Sequence, residues 1–501
     1  MTRTKKTFIS ALASILNFAI SAMSALILAR IMMLRLGSDY NGLNAIVTQF
    51  LSIITLIEGG FTTASLVALF SPFTQGNIKR MNEILAESSY KFKKIALWSL
   101  LVGTVGAIVY GAFIQTKISY VTIVAVLLIS LLSTVFQLFY TTRFRLLFQV
   151  AQDEYVYTFV MMCTNLICQI SMIVLLYNTG NIILIRCVYL LFTCVAGWAT
   201  KMCYNRLYPY ATQLEKWDGV SYIFGTTDVM VGKIVSVVYS SSSILFISIF
   251  SNTAMASVYS VYFSIISMPS SIINIFISAP QNALGQILHE GNPAKIILIM
   301  NEFEFLVILL LTILFAPLGA VILPFMSVYT QGITDVQYLN TRLALLLILI
   351  AYTQLIHIPS GLCLIMGGHF KTARNIQLIT LIILTVGNIT CGITWSFYGI
   401  LTNTLFCNLM LASMEIVYVH VKLLPGTLKC FSTMFIPNMF LTLFLSILFS
   451  PVALRYIHGY LSFCIVSSLL TGIACLIVLF FNFVFMRSQL LGIYKRLCSV
   501  F

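Results

Sequence analysis

Charge is what this 501-residue chain has least of. Only 8% of its residues are Asp, Glu, Lys or Arg, and the acidic ones number 14. A water-soluble protein of this size needs far more surface charge, so a soluble fold or a string of soluble domains is excluded. Long polar stretches are scarce as well: the longest runs over 203–228, and a second over 75–94. The twelve cysteines form no CxxC pair and no Cys/His cluster of zinc spacing. They sit mostly inside apolar runs and read as small packing residues. HExxH, the phosphate-binding GxxxxGKS/T and paired acidic loop motifs are all missing. Little then supports catalysis or a built-in ATP motor, and no cofactor is expected. Any driven process would draw on an ion gradient or on the substrate's own gradient.

Apolar segments fill the remainder. Fourteen of them run near 8–29, 43–69, 95–114, 118–140, 156–177, 182–202, 229–250, 255–285, 295–323, 343–366, 376–397, 400–421, 433–454 and 460–486. A crossing of the bilayer's hydrocarbon core takes roughly 20 apolar residues as a helix. The expected fold class is an all-α polytopic membrane protein of about 14 transmembrane helices. With almost all its mass in the bilayer, its work should lie there, in moving something across. The first segment follows Arg3, Lys5 and Lys6 and so resembles a signal peptide. Its length and the lack of a small-residue cleavage site make it an uncleaved first helix.

The net charge of +14 invites a nucleic-acid reading, and its distribution argues against one. With the amino terminus in the cytoplasm and loops alternating, 22 of the 28 Lys and Arg fall on or near the cytoplasmic side. The exceptions are Arg30, Arg35, Lys117, Arg186, Arg342 and Arg455. That bias is the positive-inside rule, and an early miscount of one helix would scramble it. An even helix count places both termini in the cytoplasm. The sequon at Asn388 falls within a predicted span and is read as chance.

The stretch 203–228 mixes basic residues with Tyr204, Tyr208, Tyr210, Trp217 and Tyr222, which suits a segment at headgroup level. It is expected to link an amino-terminal six-helix bundle, 1–202, to a second at 229–421, with two further helices over 433–486. Two segments after the first helix of each half support an internal repeat: 36–42 against 250–256, then Phe50 with 52–55 against Phe263 with 264–267. Six helices per half give repeats of one orientation, related by a pseudo-two-fold. Only Ser396 to Gly399 separates the eleventh and twelfth segments. Merging them would put Lys422 and Lys429 on the wrong side, which favours two helices.

Charges inside the bilayer are the informative ones, because Arg, Lys or Asp at a helix centre costs about 2.5–3.5 kcal/mol. Glu58 stands mid-helix beside Gly59 and Gly60, where a ligand or a neighbouring helix can approach closely. Either a ligand-facing carboxylate or one bonded to a neighbouring helix fits. Arg30 ends the first helix, either snorkelling outward or facing a cavity where it meets phosphate. Asp228 and Lys233 open the seventh helix; like Arg143 and Arg145 at the end of the fourth, they also suit ordinary topology signals. Glu302, Glu304 and Glu415 are expected near helix ends or polar neighbours. His357 precedes Pro359, where the helix can bend, and reads first as a satisfied core histidine.

Three stretches carry a family resemblance: Leu36-Gly37-Ser38-Asp39-Tyr40-Asn41-Gly42-Leu43-Asn44 with Glu58-Gly59-Gly60; Ser257-Val258-Tyr259-Ser260-Val261-Tyr262; and 328–338 with Gly368-His369-Phe370-Lys371-Thr372. Together they resemble the flippases for lipid-linked oligosaccharides in the multidrug/oligosaccharidyl-lipid/polysaccharide exporter superfamily. Two departures stand out. Ser257 replaces a common glycine, and Ser243 stands where many relatives have an acidic residue. The resemblance implies two bundles around a central cavity, alternating access, and a polyprenyl-diphosphate oligosaccharide as substrate for cell-surface polysaccharide assembly. The setting would be a bacterial or archaeal cytoplasmic membrane, with membrane lipids and polysaccharide-assembly proteins as partners. Arg30 and Lys233 would then supply positive potential for the diphosphate, Asp228 would line the same cavity, and Glu58 would bind sugar hydroxyls or a coupling proton. Competing readings are a drug/cation antiporter of the same superfamily, a membrane polysaccharide polymerase or ligase, and a membrane scaffold. The polymerase would want a long external loop, which this sequence lacks.

Overall fold

The computed structural model describes residues 3–211, 217, 219, 221, 223, 226–290 and 293–492. The described residues are helical throughout, with no strand. In chain order the helices are α1 (Arg3–Leu36), α2 (Ser38–Ile54), α3 (Leu56–Thr74), α4 (Ile78–Phe113), α5 (Tyr120–Phe136), α6 (Thr142–Val150), α7 (Glu154–Thr179) and α8 (Ile182–Leu207). They continue as α9 (Thr226–Phe250), α10 (Thr253–Glu290), α11 (Pro293–Tyr329), α12 (Thr341–Ile356), α13 (Ile358–Met366), α14 (Phe370–Tyr418), α15 (Leu428–Tyr456) and α16 (Tyr460–Phe485). Eleven stretches of the described residues are long and apolar enough to cross a membrane. Large apolar side chains stand exposed around the exterior, Val121, Trp395, Ile447, Leu461 and Phe480 among them. In water such a surface would aggregate, whereas against lipid tails it costs nothing. The protein is a multi-pass, all-α membrane protein.

Several apolar segments are broken helices, each with a local cause. The segment expected over 43–69 divides at Thr55 into α2 and α3. The one expected over 118–140 runs on through a π-turn at Gln137–Thr141 into α6. The 343–366 segment bends at His357, where Pro359 opens α13 at a position that needs no amide donor. At Ser396 the backbone leaves helical geometry with φ 50°, which divides the long α14 into two arms at the place charge placement favoured. Polar side chains cap several helix starts. Asn77 accepts from the Arg80 amide at 3.0 Å, Asn181 from Ile183 at 2.9 Å and Asn340 from Leu343 at 3.0 Å.

The chain forms two compact units, Met1–Ser260 and Val261–Phe501. In the first, α3, α4, α6 and α8 enclose a core that includes Phe61, Leu69, Phe92, Phe144, Leu147 and Phe148. Part of the polar stretch expected at headgroup level joins this core. Tyr204 and Tyr208 are buried in it, and Ile223 closes it. Ser221 donates to the fully buried Glu87 at 2.7 Å, and Trp217 lies against Tyr90 at 4.8 Å between ring centroids. In the second unit α11 is the buried axis, packed against α12, α15 and α16. Asn438 on α15 and Asn482 on α16, both fully buried, exchange amide hydrogen bonds at 3.1 and 3.0 Å. Asn403 donates to Asn388 at 2.8 Å and so ties the two arms of α14 together. Asn388 is fully buried, which explains why its sequon has no meaning as a glycan acceptor.

The stretches that carried the family resemblance have structural work. Gly42 on α2 sits against the backbone of α10, where a Cβ would overlap the Thr253 carbonyl oxygen. Thr253 Oγ1 donates to Asp39, and Asn41 Nδ2 donates to Ser257 Oγ at 2.7 Å. The serine that replaces the common glycine is therefore the acceptor for Asn41. Tyr262, fully buried, donates to the Tyr338 carbonyl at 2.8 Å and accepts from the Asn340 amide at 3.3 Å. Because backbone cannot give way, Gly42→Val is expected to separate α2 from α10. Its apparent melting temperature in detergent should fall by several degrees, whereas Gly472→Ala on α16, where a Cβ meets nothing, should shift it far less.

Candidate functional site

Among the ion pairs of the described residues, that of Arg145 in the first unit and those of two histidines in the second involve residues singled out from sequence. In the first unit the turn between α6 and α7 reverses through Gln152, whose φ is 58°. The turn brings Arg145 back over Glu154. Arg145 donates through Nε at 3.3 Å and Nη2 at 2.9 Å to Glu154 Oε1. Gln149 Nε2 donates to the same oxygen at 3.1 Å. The guanidinium lies 5.1 Å over the Tyr157 ring. Glu58 on α3 acts electrostatically on both Arg145 and Tyr157 and accepts from Thr62 at 3.1 Å. The side chains of Arg145 and Glu154 remain 44% and 36% exposed. An ion pair that open contributes at most about 1 kcal/mol to stability, so its presence in so charge-poor a chain points to a wet, working surface.

Of the residues singled out from sequence, Glu58 is thus part of a charged cluster. Arg30 lies half-buried on α1. The side chains of Asp228 and Lys233 lie outside the described residues; their helix, α9, packs beside α3, the helix of Glu58. Arg145 looked like a topology signal, and Glu154 drew no notice. What unites them with Glu58 is the sharp turn at Gln152, which has no glycine to announce it. Arg186, assigned to the outer side, is buried on α8 and donates to Asn44 Oδ1 on α2 at 2.5 Å. Just beyond α8, burial and the adjacent Asp153 carboxylate hold the Tyr208 phenol well above its usual pKa. Its hydroxyl donates to Asp153 at 2.9 Å.

The second unit holds two histidine–carboxylate pairs, one fully buried and one partly so. His420 stands in a π-turn, Val419–Leu423, at the end of α14. Its Nε2 meets Glu304 Oε1 on α11 at 2.9 Å, and its Nδ1 meets Thr427 Oγ1 at 2.6 Å. Thr427 spends its own proton on the Leu424 carbonyl at 2.7 Å, so Nδ1 must be the donor to Thr427. A second proton then lies between Nε2 and Glu304, on one or the other. Ser360 Oγ approaches Glu304 Oε1 at 3.4 Å, while Glu304 Oε2 is buried without a hydrogen-bond partner. His357, at the bend before α13, pairs through Nδ1 with Glu415 Oε2 at 2.7 Å. Gly361 leaves room for that carboxylate, since a Cβ there would come within 2.7 Å of it. His357 is a satisfied core histidine, as its sequence setting indicated. Among the described residues no group of His, Cys, Asp and Glu could hold a metal ion.

No protein-family profile and no curated protein sequence matches the chain. Solved structures do. The chain is similar to the lipid II flippase MurJ in an inward closed conformation, with TM-score 0.68 and 12% identity over 96% of this chain and 99% of that one. It is similar to an inward-facing multidrug resistance MATE family transporter of the MOP superfamily, with TM-score 0.58 and 12% identity, covering 81% of this chain and 95% of that one. A third likeness is to the eukaryotic MATE transporter AtDTX14, with TM-score 0.51 and 16% identity over 87% and 99%. The chain shares the fold of these transporters.

Proposed function

We propose that the chain is a flippase that carries polyprenyl-diphosphate-linked oligosaccharide units across a cytoplasmic membrane, by alternating access, for cell-surface polysaccharide assembly. The observation that carries this reading is the likeness to the lipid II flippase MurJ over nearly the full length of both chains. The MATE transporters named above match less of this chain. The substrate's lipid tail can stay in the bilayer, so the protein need only provide a wet path for the glycan and cations for the diphosphate. Arg30 and Lys233 are the proposed cations, Glu58 the group that binds sugar hydroxyls or a coupling proton, and Asp228 a further residue of the cavity. Both termini lie in the cytoplasm in this reading, as the distribution of basic residues favours. The drive is an ion gradient or the substrate's own. A drug/cation antiporter is the second reading, favoured by the multidrug MATE likeness and by the two carboxylates, Glu58 and Glu154, that both act on Arg145.

Proteoliposomes separate the two. With a polyprenyl-diphosphate oligosaccharide in one leaflet, the sugar should become accessible to a membrane-impermeant glycosidase on the opposite side. The rate should exceed that of protein-free vesicles by at least tenfold. Efflux of a cationic dye with no movement of the glycolipid would replace this reading with the antiporter.

A further inference from the structure

We propose that the first unit holds a binding site for the phosphate group of an anionic membrane lipid, separate from the charged cluster around Glu58. A cavity of about 260 Å³ opens among α4, α6 and α8. It is lined by Arg143, Lys201, Asn205 and Tyr204, with Phe144 and Leu85 behind them. One water occupies about 30 Å³, so the space admits a phosphate group with its nearest waters.

The charge in this cavity is one-sided. Arg143 donates through Nη1 to Ser89 at 3.3 Å and stacks on Phe144 at 4.6 Å, but its Nε is buried with no hydrogen-bond partner. The Tyr140 ring serves both cations, Arg143 at 5.7 Å and Lys201 at 5.8 Å. Neither forms an ion pair among the described residues. Asp153, in the α6–α7 turn, accepts from the Tyr208 hydroxyl and is not among the residues that line the cavity. Two cations sharing one cavity without a counter-charge repel each other and pay for lost hydration. A phosphate oxygen offsets both costs and satisfies the orphaned Nε, because guanidinium and phosphate make strong charge-assisted hydrogen bonds.

The local backbone is shaped to build this site. The π-turn Gln137–Thr141 advances Tyr140 toward α8, and Gly197 on α8 makes room for it, since a Cβ there would press on Phe136, Thr141 and Tyr140. The exterior of α8 beside Lys201 carries exposed Trp198, Met202 and Leu207, a face suited to acyl chains. A basic pocket between membrane helices, next to an aromatic and apolar lipid-facing surface, is what an anionic headgroup requires. The same chemistry would accept free phosphate, so the test must distinguish the two sources.

The full-length chain in neutral detergent is incubated with phosphatidylglycerol or phosphatidylcholine and examined by native mass spectrometry. Wild type should retain phosphatidylglycerol at least tenfold over phosphatidylcholine. The variant Arg143→Gln/Lys201→Gln should lose that preference, while Lys79→Gln/Lys371→Gln, equal in net charge, should keep it. If no phosphatidylglycerol is retained but inorganic phosphate raises the melting temperature of wild type and not of the first variant, the source is free phosphate and the site stands. Equal phosphatidylglycerol retention by wild type and the first variant overturns it. If the double variant fails to fold, Lys201→Gln alone, on a half-exposed side chain, should still weaken retention several-fold, and unchanged retention there refutes the site.

Discussion

Replacing His420 with Leu should destabilise the protein by about 3–5 kcal/mol, the usual cost of removing one partner from a buried charged pair. Glu304 and His420 are both at most 1% exposed, and Glu304 has its shortest hydrogen bond to His420. Without the imidazole, Glu304 would keep only the long Ser360 contact, and Thr427 would lose its donor. Glu304→Leu should cost a similar amount, because it strips the acceptor from His420 Nε2. The double variant Glu304→Leu/His420→Leu removes both polar groups and should recover at least half of the loss, since two apolar side chains can fill the space without an orphan. Apparent melting temperatures of the four proteins in one detergent give the cycle. Additive losses, with no recovery in the double variant, would mean that the two residues do not act as a pair.

That pair marks the boundary of what sequence could disclose. Apolar length and charge placement were enough for the membrane class and for the break at Ser396, because both rest on one-dimensional rules about hydrocarbon thickness and basic loops. Pro359 disclosed the bend at His357 in the same way. Partners more than a hundred residues apart leave no such trace. Glu304 and His420 are separated by 116 positions, Asn41 and Ser257 by 216. A buried asparagine such as Asn438 looks on paper like any polar interruption of an apolar run; only the neighbouring helix shows that Asn482 answers it. The breaks at Thr55 and Gln137–Thr141 were silent for another reason. A π-turn or a single kinked residue needs no proline or glycine, so composition does not flag it.

The candidate site follows the same division. Glu58 was legible because a carboxylate in a long apolar run is costly and demands an explanation. Arg145 and Glu154 were not, because each sits near a helix end where charges are common. Their meaning depends on a reversal at Gln152 that sequence did not announce. The fold comparisons add the architecture but no residue roles, since at 12% identity side chains are not conserved enough to be carried over.

Glu58→Gln should therefore slow translocation of the lipid-linked substrate by at least tenfold while leaving the protein folded. The amide keeps shape and hydrogen-bonding capacity, including acceptance from Thr62, so any loss reports charge. Arg145→Gln should have a comparable effect. It removes the cation on which both Glu58 and Glu154 act, leaving two carboxylates without their common counter-charge. Glu154→Gln should matter less, because Arg145 would still face Glu58 and could retain a hydrogen bond to the new amide oxygen. Melting temperatures of all three should stay near wild type, because half-exposed ion pairs contribute little to stability. The glycosidase-accessibility rate in proteoliposomes, normalised to reconstituted protein, measures the series. A tenfold slowing in Glu58→Gln corresponds to about 1.4 kcal/mol in the barrier. Rates equal to wild type in both Glu58→Gln and Arg145→Gln would remove this cluster from the transport path and leave it a surface ion network.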